Sequence, residues 1–551
     1  MTDAEGTVTS YYYAAADKLR GVIGYVIQDD GGLSLRTDYE SDDLGRRTVK
    51  LGPVHPLADG TSTPNVRTCQ WTYYRDRVRE VWTMTGYNDG TSNHVLSAVH
   101  IRAANFYVPV ADRPTTPVNM STWRCDYTVD VDNGAGGGLP VPASPNDPFA
   151  SSFGRSSWMS WAVGWYDTSE KLRQNWSYLL IPSTGFGAVD TNYGRKLLEY
   201  DALGRLYRTT CPGGIVDQTD FNAMNWPVAE WLGVGTNLTQ TQKNTYDADG
   251  NLDSVTQYVD STGSNDQVTT YGYDFRYLQT SSHTTVQKDG TGTWDLYTAT
   301  TYDQIGRATS QKGYHTSDTV ANWTAYRTTD WDVLNRAYRV KTYQVASNTN
   351  YLTSNTFYDS RGSVARQTPA GTQLFIAYEY DAVSRLTMVS KAYEPSDSSS
   401  SSSSSPAQWD PGKVTYAVVL EQTLTTYDNG GNVILTTAKR RYDDATGLSD
   451  LGNATTGPKA RVSYVATYPD GIGRVQASAD YGTNDNLAFS RPATVPPRSG
   501  LSTPQPEVAT YLFDLLGRIT FSKDPAGIGT GRTWDKLSRL TLVYENVPSG
   551  S

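Results

Sequence analysis

Short runs in which apolar or aromatic residues alternate with polar ones recur along most of the chain, separated by glycine-bearing turns. Arg518-Ile519-Thr520-Phe521-Ser522 alternates strictly, while Thr298-Ala299-Thr300-Thr301-Tyr302, Ser354-Asn355-Thr356-Phe357-Tyr358 and Leu374-Phe375-Ile376-Ala377-Tyr378 are rich in β-branched and aromatic residues. A period of two sends successive side chains to opposite faces of a strand, and residues of these types suit a half-buried pleated surface. The pattern predicts an all-β, antiparallel protein in which one face of each strand is covered.

The turns share one signature. Tyr200-Asp201-Ala202-Leu203-Gly204-Arg205 is followed by copies at Tyr246-Asp247 with Gly250, at Tyr302-Asp303 with Gly306 and Arg307, and at Trp331-Asp332 with Asn335 and Arg336. Further copies are Tyr358-Asp359 with Gly362, Tyr380-Asp381 with Arg385, Tyr427-Asp428 with Gly431, Phe513-Asp514 with Gly517 and Arg518, and Trp534-Asp535 with Arg539. Asp at the first turn position can accept backbone N–H groups, and Gly supplies the left-handed conformation that closes a type I turn with a bulge. Asn335 visits that conformation readily, whereas Ser384 and Ser538 are less suited to it. Asp and Arg four residues apart can pair across the turn. Because the pair recurs many times, it reads as a turn brace of little energetic worth when exposed and not as a catalytic site.

The copies organise the chain. Residues 193–545 form the clear array, 1–130 and 151–192 read as degenerate aromatic-rich β repeats, and the Gly- and Pro-rich stretch 131–150 reads as a loop or linker. Ser398 to Ser405 and Pro492 to Pro506 mark disordered insertions near 395–412 and 491–507. Tyr39 leads through Asp42-Asp43-Leu44-Gly45-Arg46 as a copy with residues inserted before the turn. Trp71 to Asp76 and Trp165 to Leu172 look like degenerate turns. Tyr200 to Tyr246 and Tyr380 to Tyr427 are about twice the 22 residues separating Tyr358 from Tyr380, consistent with either a skipped copy or an inserted loop.

Composition narrows the chemistry. With 39 Tyr and 14 Trp against 11 Phe, aromatics are expected on half-exposed sheet faces. The seven Trp between 71 and 176 are expected to pack across strands, with a sugar-stacking face as the alternative. A net charge of -10 without a basic run argues against nucleic acid. Cys69, Cys125 and Cys211 form no metal or redox pair; a Cys69–Cys125 bridge and unpaired core thiols are both open, the second preferred. No stretch of about 18 apolar residues could span a bilayer and the amino terminus has no signal-peptide pattern, so a soluble chain without membrane insertion is expected. If it works outside the cell, it is a piece of a longer protein or its export uses no N-terminal signal. Asp247 to Asn251 and Asp130 to Gly134 lack the remaining ligands of a calcium loop. Gly527 to Arg532 lacks the ending of a phosphate loop, and neither an HExxH among the five histidines nor a GxSxG elbow is present. Nothing selects a catalytic site, a metal or a cofactor, and the protein is expected not to be an enzyme.

These YDxxGR copies resemble the YD repeats of the Rhs family, found in bacterial polymorphic toxins, wall-associated proteins, the shells of insecticidal toxin complexes, and animal teneurins. The resemblance covers about residues 193–545 and is weaker before them. It implies a spiralling antiparallel sheet of hairpins forming a hollow shell or part of one, which in complete members encloses a C-terminal toxin or other protein cargo. It also implies a secreted or cell-surface protein. Toxin-bearing members follow the repeats with a plugging, often self-cleaving segment; here Asp524-Pro525-Ala526-Gly527 resembles the inter-repeat DPxG instead, and no protease residues carry over. The leading expectation is a non-catalytic scaffold that encloses or presents a cargo. The others are a glycan- or cell-surface-binding module using exposed Tyr and Trp, and an effector-less remnant of a polymorphic toxin.

Overall fold

The computed structural model describes residues 1–14, 21–57, 65–106, 124–134, 138–140, 153–259, 266–288, 292–395, 411–498 and 505–546. Most of the 131–150 stretch and the serine run lie outside them, as do residues 499–504 of the second insertion. Thirty-five strands belong to one hydrogen-bonded sheet, all named pairings are antiparallel, and the described residues contain no α-helix. Among the described residues, no helix is therefore long and apolar enough to cross a membrane.

Consecutive strands pair through the predicted turns. In each hairpin the register slips by one residue at the aromatic before Asp: Glu199 faces Arg208 but Tyr200 faces Leu206, and the same slip occurs at Tyr246, Tyr302, Trp331, Tyr358, Tyr427, Phe513 and Trp534. A left-handed residue closes each turn, with φ of 83° at Gly204, 65° at Asn335, 65° at Ser384 and 58° at Ser538. This is the bulged type I hairpin that an Asp-x-x-Gly turn favours.

The chain divides into two compact units. The first comprises residues 1–195, 360–363 and 377–551. Its core is aromatic: Trp82, Trp165, Trp176 and Tyr178 are wholly buried, with Trp161 stacked on Tyr178 at 3.9 Å and Trp176 on Tyr193 at 4.2 Å. Strand Arg124–Val131 buries every second residue, as period two requires. Six of the seven Trp between 71 and 176 are buried, and Trp123 lies outside the described residues. Those six thus form core and not a sugar-stacking face. Trp71 to Arg75 is the strand that leads into a degenerate turn opened by Asp76, with Arg79 in the left-handed place at φ 56°. Asp167 likewise opens a degenerate turn, with Glu170 in the left-handed place at φ 60°. No residue is inserted before the Asp42 turn: the strand runs straight to Ser41, which occupies the aromatic's place. Cys69 and Cys125 are buried free thiols, and burial pushes the Cys69 thiol up to about 11.

Glu80 is a buried carboxylate inside this core. It accepts from Arg75 Nη1 at 2.5 Å, from the Trp82 indole at 3.1 Å and from the Tyr127 hydroxyl at 2.9 Å. A buried carboxylate survives only when it is paired and hydrogen-bonded in this way.

Within the same unit, elements of residues 1–195 lie along the later turns in matching order. Arg361 reaches Asp3 at 2.6 Å and Thr7 at 2.5 Å, and His55 stands 3.7 Å from Asp428. Thr68 donates to the Gly471 carbonyl at 2.9 Å, Ala98 N–H to that of Leu515 at 2.9 Å, and Lys536 to that of Trp158 at 2.6 Å. Two turn glycines are explained by this proximity. A Cβ on Gly471 would sit 2.2 Å from the Tyr87 ring, and one on Gly430 2.9 Å from the His55 ring.

The second unit, residues 196–359 and 364–376, has few buried side chains, among them Val216, Trp323 and Phe375. Cross-strand aromatic stacks take over part of the core's role. His283, Tyr297 and Tyr314 stack at 4.2 and 5.3 Å on directly opposed positions, and Tyr326 stacks on Tyr343 at 4.2 Å.

Glu80→Ala removes the acceptor of three buried donors at once. It is expected to cost about 3–5 kcal/mol in urea unfolding, the usual penalty for breaking a buried ion pair.

Candidate functional site

Each turn first satisfies itself. In the Asp201 turn one carboxylate oxygen accepts the N–H groups of Leu203 at 2.9 Å and Arg205 at 3.0 Å, and the other accepts Arg205 Nε at 2.6 Å. The Asp303, Asp332, Asp514 and Asp535 turns repeat this arrangement with Arg307, Arg336, Arg518 and Arg539. Asp381 does the same with Arg385. At Asp247 and Asp428, Asn251 and Asn432 take the arginine's place through their side-chain amides at 2.9 Å. The backbone N–H of the Arg four residues on, followed by its side chain, holds the carboxyls of Asp201, Asp303 and Asp332 below the usual range against an opposing desolvation.

The same arginine then reaches the following turn. Nη1 of Arg307 donates to the Asp332 carbonyl at 2.9 Å, Arg385 to that of Asp428 at 2.9 Å, Arg474 to that of Asp514 at 3.2 Å, and Arg518 to that of Asp535 at 3.0 Å. Its guanidinium also lies over the next turn's aromatic ring: Arg385 over Tyr427 at 4.8 Å, Arg474 over Phe513 at 4.9 Å, Arg336 over Tyr358 at 4.5 Å. Arg276 and Arg361, two residues after their aspartates instead of four, still make the forward bond, to Asp303 and Asp381.

A bond runs backward as well. The aromatic before each Asp donates to the carbonyl five residues after the previous turn's first residue. Tyr302 bonds Gln279 at 2.7 Å, Trp331 bonds Ala308 at 2.9 Å, Tyr358 bonds Ala337 at 2.9 Å, Tyr427 bonds Leu386 at 2.9 Å and Trp534 bonds Ile519 at 3.0 Å. Tyr and Trp interchange at this position because phenol and indole each carry one hydrogen-bond donor. Phe513 has none.

The structure therefore assigns each predicted turn residue a part in a row of stitched turns. Tyr380 ends its strand and Asp359 opens its turn in the same way. Two repeats lie outside the predicted turn residues, though the 29-residue spacing from Tyr273 to Tyr302 in the sequence marks one of them. Phe221-Asn222-Ala223-Met224-Asn225 is a complete turn, with Asn225 left-handed at φ 70° and the Arg205 Nη1 bond arriving at the Asn222 carbonyl. Trp226 stands in its arginine's place and lies against Tyr246 at 5.0 Å. Tyr273-Asp274-Phe275-Arg276-Tyr277 is the other, with Tyr277 left-handed at φ 64°. The Tyr200 to Tyr246 gap is thus a skipped copy. Across the Tyr380 to Tyr427 gap, strands Leu386–Tyr393 and Val418–Tyr427 pair directly, so the extra residues are an insertion between them and not a skipped copy.

Three histidines also form local pairs. His100 meets Asp130 at 2.7 Å, which raises its pKa, His94 meets Asp89 at 2.8 Å, and His283 meets Asp295 at 2.9 Å. Among the described residues no group of three or more His, Cys, Asp or Glu could hold a metal ion. A cleft of about 600 Å³ in the first unit is lined by Gln28, Lys50, Thr68, Gln70, Arg385 and Asn432 among others. Arg385 is committed to the stitch.

The fold and the turn row define an all-β protein built from stitched aromatic–Asp hairpins. No protein-family model matches the chain, and no curated protein is significantly similar to it. Among solved structures it is similar to a crystal structure of TcdB2-TccC3-TEV, at 14% identity and a TM-score of 0.37 over 98% of this chain. TcdB2-TccC3 without its hypervariable C-terminal region gives 14% and 0.35 over 98%, and a Photorhabdus luminescens Tc holotoxin pore gives 12% and 0.29 over 99%. The chain spans 27% of the first two of these chains and 30% of the third.

Removing the backward donor with Tyr358→Phe is expected to cost about 0.5–1.5 kcal/mol, and Tyr358→Trp less, because the indole can reach the same carbonyl. Phe513→Tyr supplies the missing donor toward the Val475 carbonyl and is expected to stabilise by about 0.5–1 kcal/mol. Urea midpoints check all three; equal losses for Phe and Trp at 358 would refute the backward bond. Ser384→Gly relieves a left-handed serine and should raise the melting midpoint, by up to about 1 kcal/mol; no rise would count against strain there.

Proposed function

We propose that the chain is a non-catalytic β-shell scaffold of a toxin-type or cell-surface protein, acting outside the producing cell by enclosing or presenting a protein cargo or effector. One observation carries this reading. With Arg539 as the exposed exception, the recurring Asp, Arg and Tyr or Trp, the residues with the most chemistry to offer, have polar atoms engaged by their own or the adjacent turn. A protein whose reactive groups serve geometry acts through the surface they build.

The glycan-binding alternative needs open aromatic faces, since a sugar ring stacks on a face and not on an edge. In the His283–Tyr297–Tyr314 and Tyr326–Tyr343 stacks the faces cover one another.

Small-angle scattering of the purified chain tests the scaffold reading. A curved wall bounding a cavity or trough is expected, and a compact solid envelope would overturn it. On a glycan array no saturable binding is expected; binding lost on replacing surface aromatics would favour the alternative.

A further inference from the structure

The polar side chains of the turn row are bonded to one another, whereas the cleft of about 600 Å³ in the first unit collects several that are not. Lys50, Gln70 and Thr85 stand directly opposite one another on strands Arg47–Pro56, Asn65–Arg75 and Glu80–Asn88. Their chain neighbours Leu51, Cys69 and Met84 pack in the aromatic core, so the period of two sends this polar row to the opposite face, into the cleft. Gln28 and, from two turns of the array, Asn429 and Arg385 line the same cleft. Among the described residues the side chains of Lys50, Gln70, Thr85, Gln28 and Asn429 make no hydrogen bond or ion pair. Among those residues, too, no Asp or Glu lines the cleft, although the chain carries a net charge of -10. The carboxylate next to Asn429 in the chain, that of Asp428, is buried and has both oxygens bonded to Asn432.

We propose that this cleft binds a small hydroxylated anion, a carboxylate or a phosphate ester, with Lys50 on the oxyanion and Gln70, Thr85, Gln28 and Asn429 on the hydroxyl groups. Two cations with no acid beside them favour negative charge, and a concave wall of one sign concentrates that preference. The amides and the threonine hydroxyl each donate and accept, which suits hydroxyl groups; a bare ion would use only the donors. The volume lies within the range of about 300–1,000 Å³ found for small-molecule sites. Arg385 stays in its turn bonds and contributes its charge. The inference goes beyond the scaffold reading and does not depend on it, and it uses none of the aromatic faces that a glycan-binding module would need.

Isothermal titration of the full chain with gluconate, and with glucose phosphorylated at its primary hydroxyl, tests this, with glucose and acetate as controls. Saturable binding at a single site is expected for at least one of the two anions, and the tighter of them identifies the oxyanion as carboxylate or phosphate. Glucose lacks the charge and acetate the hydroxyls, so each should bind more weakly by about tenfold or more, which corresponds to about 1.4 kcal/mol. Lys50→Met should weaken the anion by a similar factor, and Lys50→Arg should restore most of the binding. Gln70→Leu should weaken the hydroxylated anion and leave acetate unchanged. Lys50 and Gln70 are both exposed, so the melting midpoints of these variants should match that of the parent chain. No saturable binding of either anion, or binding that Lys50→Met leaves unchanged, would overturn the proposal. So would glucose binding as tightly as the anions, or acetate doing so, the last meaning an adventitious ion only.

Discussion

Everything in the array depends on one side chain doing two jobs. The arginine that braces its own Asp turn through Nε also donates Nη1 to the carbonyl of the next turn. A guanidinium can do this because its donors are fixed in a planar fork, so a hydrogen bond on one side aims the other. Exposed ion pairs contribute little singly, but here the pair orients a donor toward a backbone acceptor that the tight turn leaves without a strand partner. The aromatic donor running the opposite way makes the link reciprocal, and each hairpin is tied to its neighbour at the turn end as well as along the ladder.

The reciprocal link bears most where the core is thinnest. In the first unit Trp82, Trp165 and Trp176 supply a conventional buried core, with Glu80 held inside it. In the second unit most side chains are only half buried. Stacked tyrosines on opposed positions then do for one sheet face what a second layer would do elsewhere, and the turn links limit splaying at one end of each hairpin. A sheet with one well-covered face gains from every contact that fixes register, because a slip of one residue would turn each side chain to the opposite face.

Strand character, hairpin connectivity and the left-handed turn position were all legible in the sequence, because each depends on neighbours close in the chain. Asn335, Ser384 and Ser538 were recognisable at the left-handed place even without glycine. The Asp–Arg pair was legible too, though its forward half was not, since the acceptor lies on a turn some 17 to 43 residues away. The Asn222 turn escaped notice because Asn replaced Asp in it. That change keeps the hydrogen-bonding capacity and alters only the letters.

The glycines at 430 and 471 hold information of another kind. Neither has the left-handed φ that turn geometry asks of Gly431 and Gly473, so local conformation does not explain them. Each leaves room for a ring, His55 or Tyr87, brought there by a segment hundreds of residues earlier in the chain. In an array of this type, a glycine that the turn itself does not require works as an address label. It marks, in one dimension, a turn that has a neighbour pressed against it in three.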